Sequence, residues 1–161
     1  MRCGTLSMQT IVVFLALLLA VAGARADSKS VTVDGLVKQP QQVTADALRR
    51  LPPVERRVTF DTDRGPQSAT YTGVLLWTLI DRAKVDDAAK WGELRHVLAV
   101  TAADGYLLMV SIGEIDPNFG NAPVVLAYAR DGQPLPVLRL VFPGDKHGAR
   151  DVRDVVHIEV R

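Results

Sequence analysis

Apolar residues are unevenly distributed along the chain. The segment 11–22 contains twelve residues without a polar side chain, and no later segment is comparably apolar. Beyond it, apolar and polar positions alternate over short stretches, which is typical of half-buried β-strands. This alternation predicts strands at 30–34, 58–60, 97–101, 106–112, 124–129, 138–142 and 155–160.

Turn residues join these predicted strands into hairpins. Asp104-Gly105 separates 97–101 from 106–112, and Asp131-Gly132 separates 124–129 from 138–142. Asp-Gly favours the tight turns whose twist matches paired antiparallel strands. In the last strand, the alternation predicts that Val156, Ile158 and Val160 point inward, with His157 and Glu159 outward.

Two segments have the pattern of short helices. Thr44 is a favourable N-cap for a helix at 45–51, which Pro52-Pro53 would end. The segment 74–83 places four large apolar residues on one helical face, and we expect Trp77 beside that face to pack against a sheet. Few short helices among many short strands predict an α+β fold, a single compact β-rich mixed domain.

The N-terminal segment has the features of a secretory signal peptide. Arg2 precedes the apolar segment 11–22, and Ala24-Arg25-Ala26 forms a small-x-small cleavage site. The alternative is a transmembrane anchor. Twelve residues rise only about 18 Å as a helix, which is too short to cross roughly 30 Å of hydrocarbon in a bilayer. We therefore predict a signal peptide at 1–26, a domain at 27–161, a periplasmic or secreted location, and no membrane association after cleavage.

Composition narrows the classes of function. The chain has 19 basic and 18 acidic residues, so it has no strong overall positive charge that would attract nucleic acid. The single cysteine, Cys3, lies in the predicted signal peptide. Thiol catalysis and thiolate metal sites are therefore not expected in the mature domain.

Histidine and serine chemistry is not indicated either. The chain has three histidines, and none is paired at the spacing of a helical metal site. His96 has no carboxylate nearby in sequence except Glu93, and His157 is expected to be a polar surface residue. A triad of Ser111, His147 and an aspartate lacks the G-x-S-x-G turn, so we predict neither catalytic nor metal-binding residues.

The segment 138–155 carries the most informative chemistry. A predicted buried strand runs into Pro143-Gly144 and a loop rich in basic residues and glycine. Glycine lets backbone N–H groups approach an anion, and converging basic side chains suit phosphate or another oxyanion. A solvated charge cluster is the alternative, since Asp145, Asp151 and Asp154 nearly neutralise the loop. The candidate cofactor- or anion-binding residues are Arg139, Lys146, His147, Gly148, Arg150 and Arg153.

At this loop the sequence resembles the molybdopterin-binding domain of the sulfite oxidase family. The closest correspondence is R-x-x-x-P-G followed by G-A-R-x-V-R, which runs from Arg139 to Arg153. Weaker correspondences precede it in the family's order: V-T-V-D-G-L-V at 31–37, Y-T-G-V-L-L-W-T-L-I at 71–80 and D-G-Y at 104–106. The resemblance spans about 31–160. It implies the mixed α+β fold of that family and a pterin-phosphate role for Arg139, Arg150 and Arg153.

The sequence departs from the family pattern in three places. Thr62 or a close neighbour stands where the family has its molybdenum-ligating cysteine, and a threonine hydroxyl is a poor substitute for a soft thiolate. Arg153 replaces the usual lysine and Asp154 the usual tryptophan. The N-terminus also lacks the twin-arginine pair that accompanies export of folded, cofactor-loaded proteins.

Three hypotheses of function follow. The first is a non-catalytic exported binding module that retains an oxyanion or pterin-phosphate cleft, for a small anionic ligand or a periplasmic protein partner. The second is a genuine molybdopterin-dependent oxidoreductase, or a subunit of one, with ligation that needs no cysteine. The third is a structural interaction protein. Molybdopterin is the cofactor that the resemblance implies.

Overall fold

Two five-stranded sheets form the framework in the computed structural model, which describes residues 30–161. The first sheet has the order β2-β1-β10-β5-β6, and the second has the order β3-β4-β7-β8-β9. Neighbouring strands are antiparallel except β1 and β10, which are parallel. The strands are β1 Ser30–Gly35, β2 Gln41–Thr44, β3 Val54–Thr62, β4 Gly65–Leu75, β5 Val97–Ala102, β6 Leu107–Ser111, β7 Val125–Arg130, β8 Gln133–Val141, β9 Val152–Arg153 and β10 Val155–Val160.

Within these residues the helices are short. They are α1 Ala45–Leu48, α2 Leu76–Ala83 and α3 Ile112–Ile115, with 3₁₀ turns at Gly92–Arg95 and Gly148–Arg150. Thr44 caps α1 as predicted, since its Oγ1 accepts the N–H of Ala47 at 3.1 Å. None of the helices in this part of the chain has the length and apolarity needed to cross a bilayer. The predicted signal peptide lies outside the described residues.

The main core joins both sheets to α2. It contains Val31 and Val33 of the first sheet, Leu126 and Leu140 of the second, and Leu79 of α2. A smaller cluster occupies the other face of the second sheet: Val58, Ala69, Tyr71, Val125, Ala127 and Val141. The second sheet is therefore apolar on both faces, and Ala69 and Tyr71 of the smaller cluster line the candidate site. The predicted β-rich α+β domain is confirmed.

Three local predictions were wrong. The strands β2, β4 and β9 were not predicted, and α2 begins at Leu76 because Val74 and Leu75 still pair with β7. The helix α1 ends at Leu48 rather than at 51. In β10 the register with β5 shifts after Val155, so Val155 is buried while Val156 remains partly exposed.

Candidate anion-binding cleft

A cavity of about 230 Å³ opens on the face of the second sheet that carries the smaller apolar cluster. The hairpin β3–β4 supplies one wall, and the strands β7 and β8 with the loop after β8 supply the rest. Its lining includes Phe60, Thr62, Tyr71, Arg130, Arg139 and Gly148. Two of the six predicted site residues, Arg139 and Gly148, therefore line one cavity, here called the cleft.

Two arginines flank the ring of Tyr71 in the cleft. The guanidinium carbon of Arg130 lies 5.7 Å from the ring centroid, and that of Arg139 lies 5.8 Å from it. The tyrosine is only 2% exposed, in part because these side chains cover it. Arginine commonly lies over aromatic rings in this way, and the contact leaves its N–H groups free to bind in plane.

Arg139 is held loosely by its acidic neighbour. Its Nη2 lies 3.5 Å from Oδ2 of Asp151, beyond the 2.7–2.9 Å typical of a charge-assisted hydrogen bond. Within the described residues, Nε of Arg139 and Oδ2 of Asp151 are both buried without a hydrogen-bond partner. Burial raises the pKa of Asp151, opposed by the N–H of Phe142 and the charge of Arg139. The pair is therefore incompletely satisfied, and Arg139 has unused capacity to donate.

Arg150 is engaged elsewhere. Its Nε and Nη2 each lie 2.7 Å from an oxygen of Asp145, and its Nη1 lies 2.9 Å from Oε1 of Glu114. Its guanidinium also lies over the ring of Phe142, 4.4 Å from the centroid. These bonds hold the pKa of Asp145 below its ordinary value and raise that of Arg150. Arg150 thus fastens the loop after β8 to α3 and does not line the cleft.

The other predicted residues border the cleft. The carbonyl of Lys146 accepts the N–H of Asp61 at 2.8 Å, which holds the basic loop against the end of β3. Lys146 and His147 are exposed beside that contact. Arg153 pairs directly with Arg139 across β8 and β9, and directly opposed residues of antiparallel strands share a face. Its exposed charge is therefore on the same side of the sheet.

The residues of the cleft fit an oxyanion but not a molybdenum ligand set. The Oγ1 of Thr62 donates to the carbonyl of Gly65 at 2.7 Å and accepts the N–H of Arg64 at 3.2 Å. The hydroxyl is thus used within the β3–β4 turn. No cysteine occurs after Cys3, so residues 30–161 offer no thiolate. Two arginines remain to bind an anionic group such as a phosphate.

Sequence reasoning missed several residues of the cleft. The sequence singled out neither Arg130 nor Asp61, and it indicated Tyr71 only as part of the motif at 71–80. They meet because Tyr71 pairs with Arg130 across β4 and β7, and β4 was not predicted. The alternation of Ala69 and Tyr71 inside 65–75 was the available signal, and Pro66 obscured it.

The histidines have partners that sequence did not indicate. Nε2 of His96 lies 3.1 Å from Oδ2 of Asp87, which stands nine residues earlier in the chain. Nε2 of His157 lies 2.7 Å from Oδ1 of Asp34 on the neighbouring strand β1. No group of three or more histidine, cysteine or acidic side chains within the described range is arranged to hold a metal ion.

Comparison with known proteins supports the resemblance found in the sequence. The family model described as oxidoreductase molybdopterin binding domain matches residues 19–161. A similar solved structure is the crystal structure of the sulfane dehydrogenase SoxCD from Paracoccus pantotrophus, with a TM-score of 0.66 at 21% identity. The similarity covers 83% of this chain but only 38% of that one, and at this identity it establishes the fold alone. No curated protein matches. The chain therefore belongs to the oxidoreductase molybdopterin-binding domain family.

Proposed function

We propose that this chain is a non-catalytic, exported binding module whose cleft takes a small oxyanion, such as the phosphate group of an organic ligand. The observation that carries the proposal is the incompletely satisfied Arg139, placed with Arg130 around Tyr71 in one cavity. Export is proposed from the segment 1–26 alone.

The ion pairs of the two cleft arginines favour an incoming anion. Nε of Arg130 lies 3.3 Å from Asp131, and Arg139 lies 3.5 Å from Asp151, whereas the Arg150–Asp145 distances are 2.7 Å. A ligand oxyanion within 2.9 Å of the cleft guanidinium groups would therefore form stronger hydrogen bonds than their present partners do. Lys146 and Arg153 at the border add positive charge, against Asp61 in the lining.

The non-catalytic part of the proposal rests on the hydroxyl of Thr62. Both of its hydrogen bonds lie within the β3–β4 turn, so the position that resembles the family's ligand position holds neither a thiolate nor a free donor. The family match is equally compatible with the second hypothesis, a molybdopterin-dependent oxidoreductase or a subunit of one. Because the cleft supplies no thiolate for the metal, we derive no catalytic step.

Titration calorimetry with phenyl phosphate tests the proposal on the full chain. We expect saturable binding that Arg139→Gln weakens by about tenfold or more, since a hydrogen bond to a charged group contributes about 1.5–3 kcal/mol. Arg57→Gln is the matched control, because Arg57 is exposed on β3 and does not line the cleft. Equal affinity in Arg139→Gln and the unmodified chain, with both folded, would refute the assignment.

A further inference from the structure

A second cavity, of about 270 Å³, lies at the other end of the hairpin β3–β4. It lies between the start of α2 and the segment 115–123, and it shares no lining residue with the cleft. Its lining is apolar, with Leu75, Trp77, Ile115 and Pro117 among its members, except for Arg56 and Asn121. A concave apolar surface with few polar groups is the usual form of a small-molecule site.

The wall formed by 115–123 is fixed by internal hydrogen bonds. The carbonyl of Asp116 accepts the N–H of Asn121 at 2.9 Å, and that of Glu114 accepts the N–H of Ala122 at 2.8 Å. The carboxylate of Asp116, only 1% exposed, accepts the N–H of Asn118 at 2.7 Å. The cavity is therefore preformed, and a ligand would not have to order its wall before binding.

Arg56 is the charged residue of this cavity, and it has no acidic partner within residues 30–161. The hydrogen bond of its side chain goes from Nη1 to the carbonyl of the adjacent Glu55, at 2.8 Å. Arg56 is half-buried as a residue and this hydrogen bond is exposed, so the guanidinium retains most of its donors for another group. A carboxylate would supply the missing counter-charge in a geometry that guanidinium binds through two hydrogen bonds.

We propose that this cavity is a binding site for a small apolar carboxylate, such as an aromatic or short-chain acid. The ring or chain packs against Trp77, Leu75 and Pro117, and the carboxylate pairs with Arg56 at the mouth. The volume is slightly below the range typical of drug-sized ligands, which limits the ligand to a few carbons beyond the carboxylate. This site is independent of the oxyanion cleft.

Tryptophan fluorescence provides a direct assay. The chain has two tryptophans, of which Trp77 lines the cavity and Trp91 is 49% exposed against Phe119. In a Trp91→Phe background, Trp77 is the sole reporter. Titration of the full chain with benzoate is expected to give a saturable change with a Kd of about 1 mM or tighter, and with benzyl alcohol a much weaker one.

Three variants in this background make the test specific. Arg56→Gln is expected to weaken benzoate binding by about tenfold or more, because a charged hydrogen-bond donor is lost. Arg57→Gln removes the same charge from the next residue of β3, which is exposed and outside the cavity, and is expected to leave affinity unchanged. Ala122→Leu fills the cavity and is expected to abolish binding.

The proposal is overturned by any of four results. These are no saturable response to benzoate, equal affinity for benzoate and benzyl alcohol, unchanged binding in folded Arg56→Gln, or retained binding in Ala122→Leu. Circular dichroism and urea midpoints establish that each variant is folded. If Arg56→Gln is unstable, Arg56→Lys replaces it. Lysine keeps the charge but not the two-pronged geometry, so a several-fold loss of benzoate affinity supports the proposal and unchanged affinity overturns it.

Discussion

Replacing Arg150 by alanine tests whether this residue holds the loop after β8 in place. The substitution removes the paired hydrogen bonds to Asp145, the bond to Glu114 and the contact with the ring of Phe142. The Arg150 side chain is 41% exposed, so solvent screens the ion pairs, and each contributes at most about 1 kcal/mol. The cation–π contact adds about 0.5–1 kcal/mol. We therefore expect Arg150→Ala to lower the free energy of unfolding by about 2 kcal/mol.

The same contacts predict how this loss depends on pH. Arg150 lowers the pKa of Asp145 in the folded state. Stability from that shift is fully present above the unfolded-state pKa of about 3.9 and is lost as the pH falls through the lower folded-state value. The difference between the unmodified chain and Arg150→Ala should therefore be largest near neutral pH and shrink below about pH 4.

Urea unfolding at several pH values measures both effects. Arg153→Ala is the matched control, because Arg153 is exposed and forms no ion pair with another described residue. Its free energy of unfolding should lie within about 0.5 kcal/mol of the unmodified chain. The reasoning fails if Arg150→Ala is equally neutral, or if its loss of stability does not diminish in acid.

Four further substitutions test other parts of the structure. Gly73→Ala should destabilise by about 3 kcal/mol or more in urea unfolding, since its Cβ would lie 2.3 Å from a carbonyl oxygen of β7. Gly148→Ala, whose Cβ would have ordinary contacts of 3.7 Å or more, should be nearly neutral, and similar losses in both would contradict this packing. Hydrogen bonds from the backbone, an arginine and a histidine lower the pKa of Asp87 to about 2. The unmodified chain should therefore lose stability as the pH falls from about 4 to 2, and Asp87→Asn should show a smaller loss over this range. An unchanged dependence of stability on pH would argue against this role of Asp87. Asp151→Asn removes the carboxylate that competes for Arg139. Calorimetry should therefore show several-fold tighter binding of phenyl phosphate. Weaker binding would contradict this and show that Asp151 positions the arginine.

Local signals predicted most strands, because short alternating segments between Asp-Gly turns depend little on the rest of the chain. The strand β4 was not predicted, because its polar N-terminal half is exposed in the hairpin and its apolar C-terminal half has the spacing of a helix. Only pairing with β7, about 50 residues later in the chain, keeps Val74 and Leu75 extended. The predicted orientation of Val156 failed similarly, because the register shift that exposes it depends on β5.

The sequence predicted the region of the candidate site but not the arrangement of its side chains. The sequence singled out the basic residues of 138–155, yet it does not reveal which cations neighbouring carboxylates satisfy. Arg150 is bound at 2.7 Å by Asp145, whereas Arg139 is only loosely paired with Asp151. Arg130 joins the site only through the pairing of β4 with β7. Partner choice among close charges is a property of the folded chain.

The most direct test of the central claim measures what the protein carries when cofactor is available. The full chain is expressed in a host that makes molybdenum cofactor and purified, and molybdenum and released pterin are determined per chain. Because residues 30–161 offer no thiolate and Thr62 is used within its turn, we expect molybdenum far below one atom per chain. Pterin without metal would agree with an oxyanion cleft in a non-catalytic module. Molybdenum and pterin both near one per chain would contradict the proposal and identify an oxidoreductase with unusual ligation.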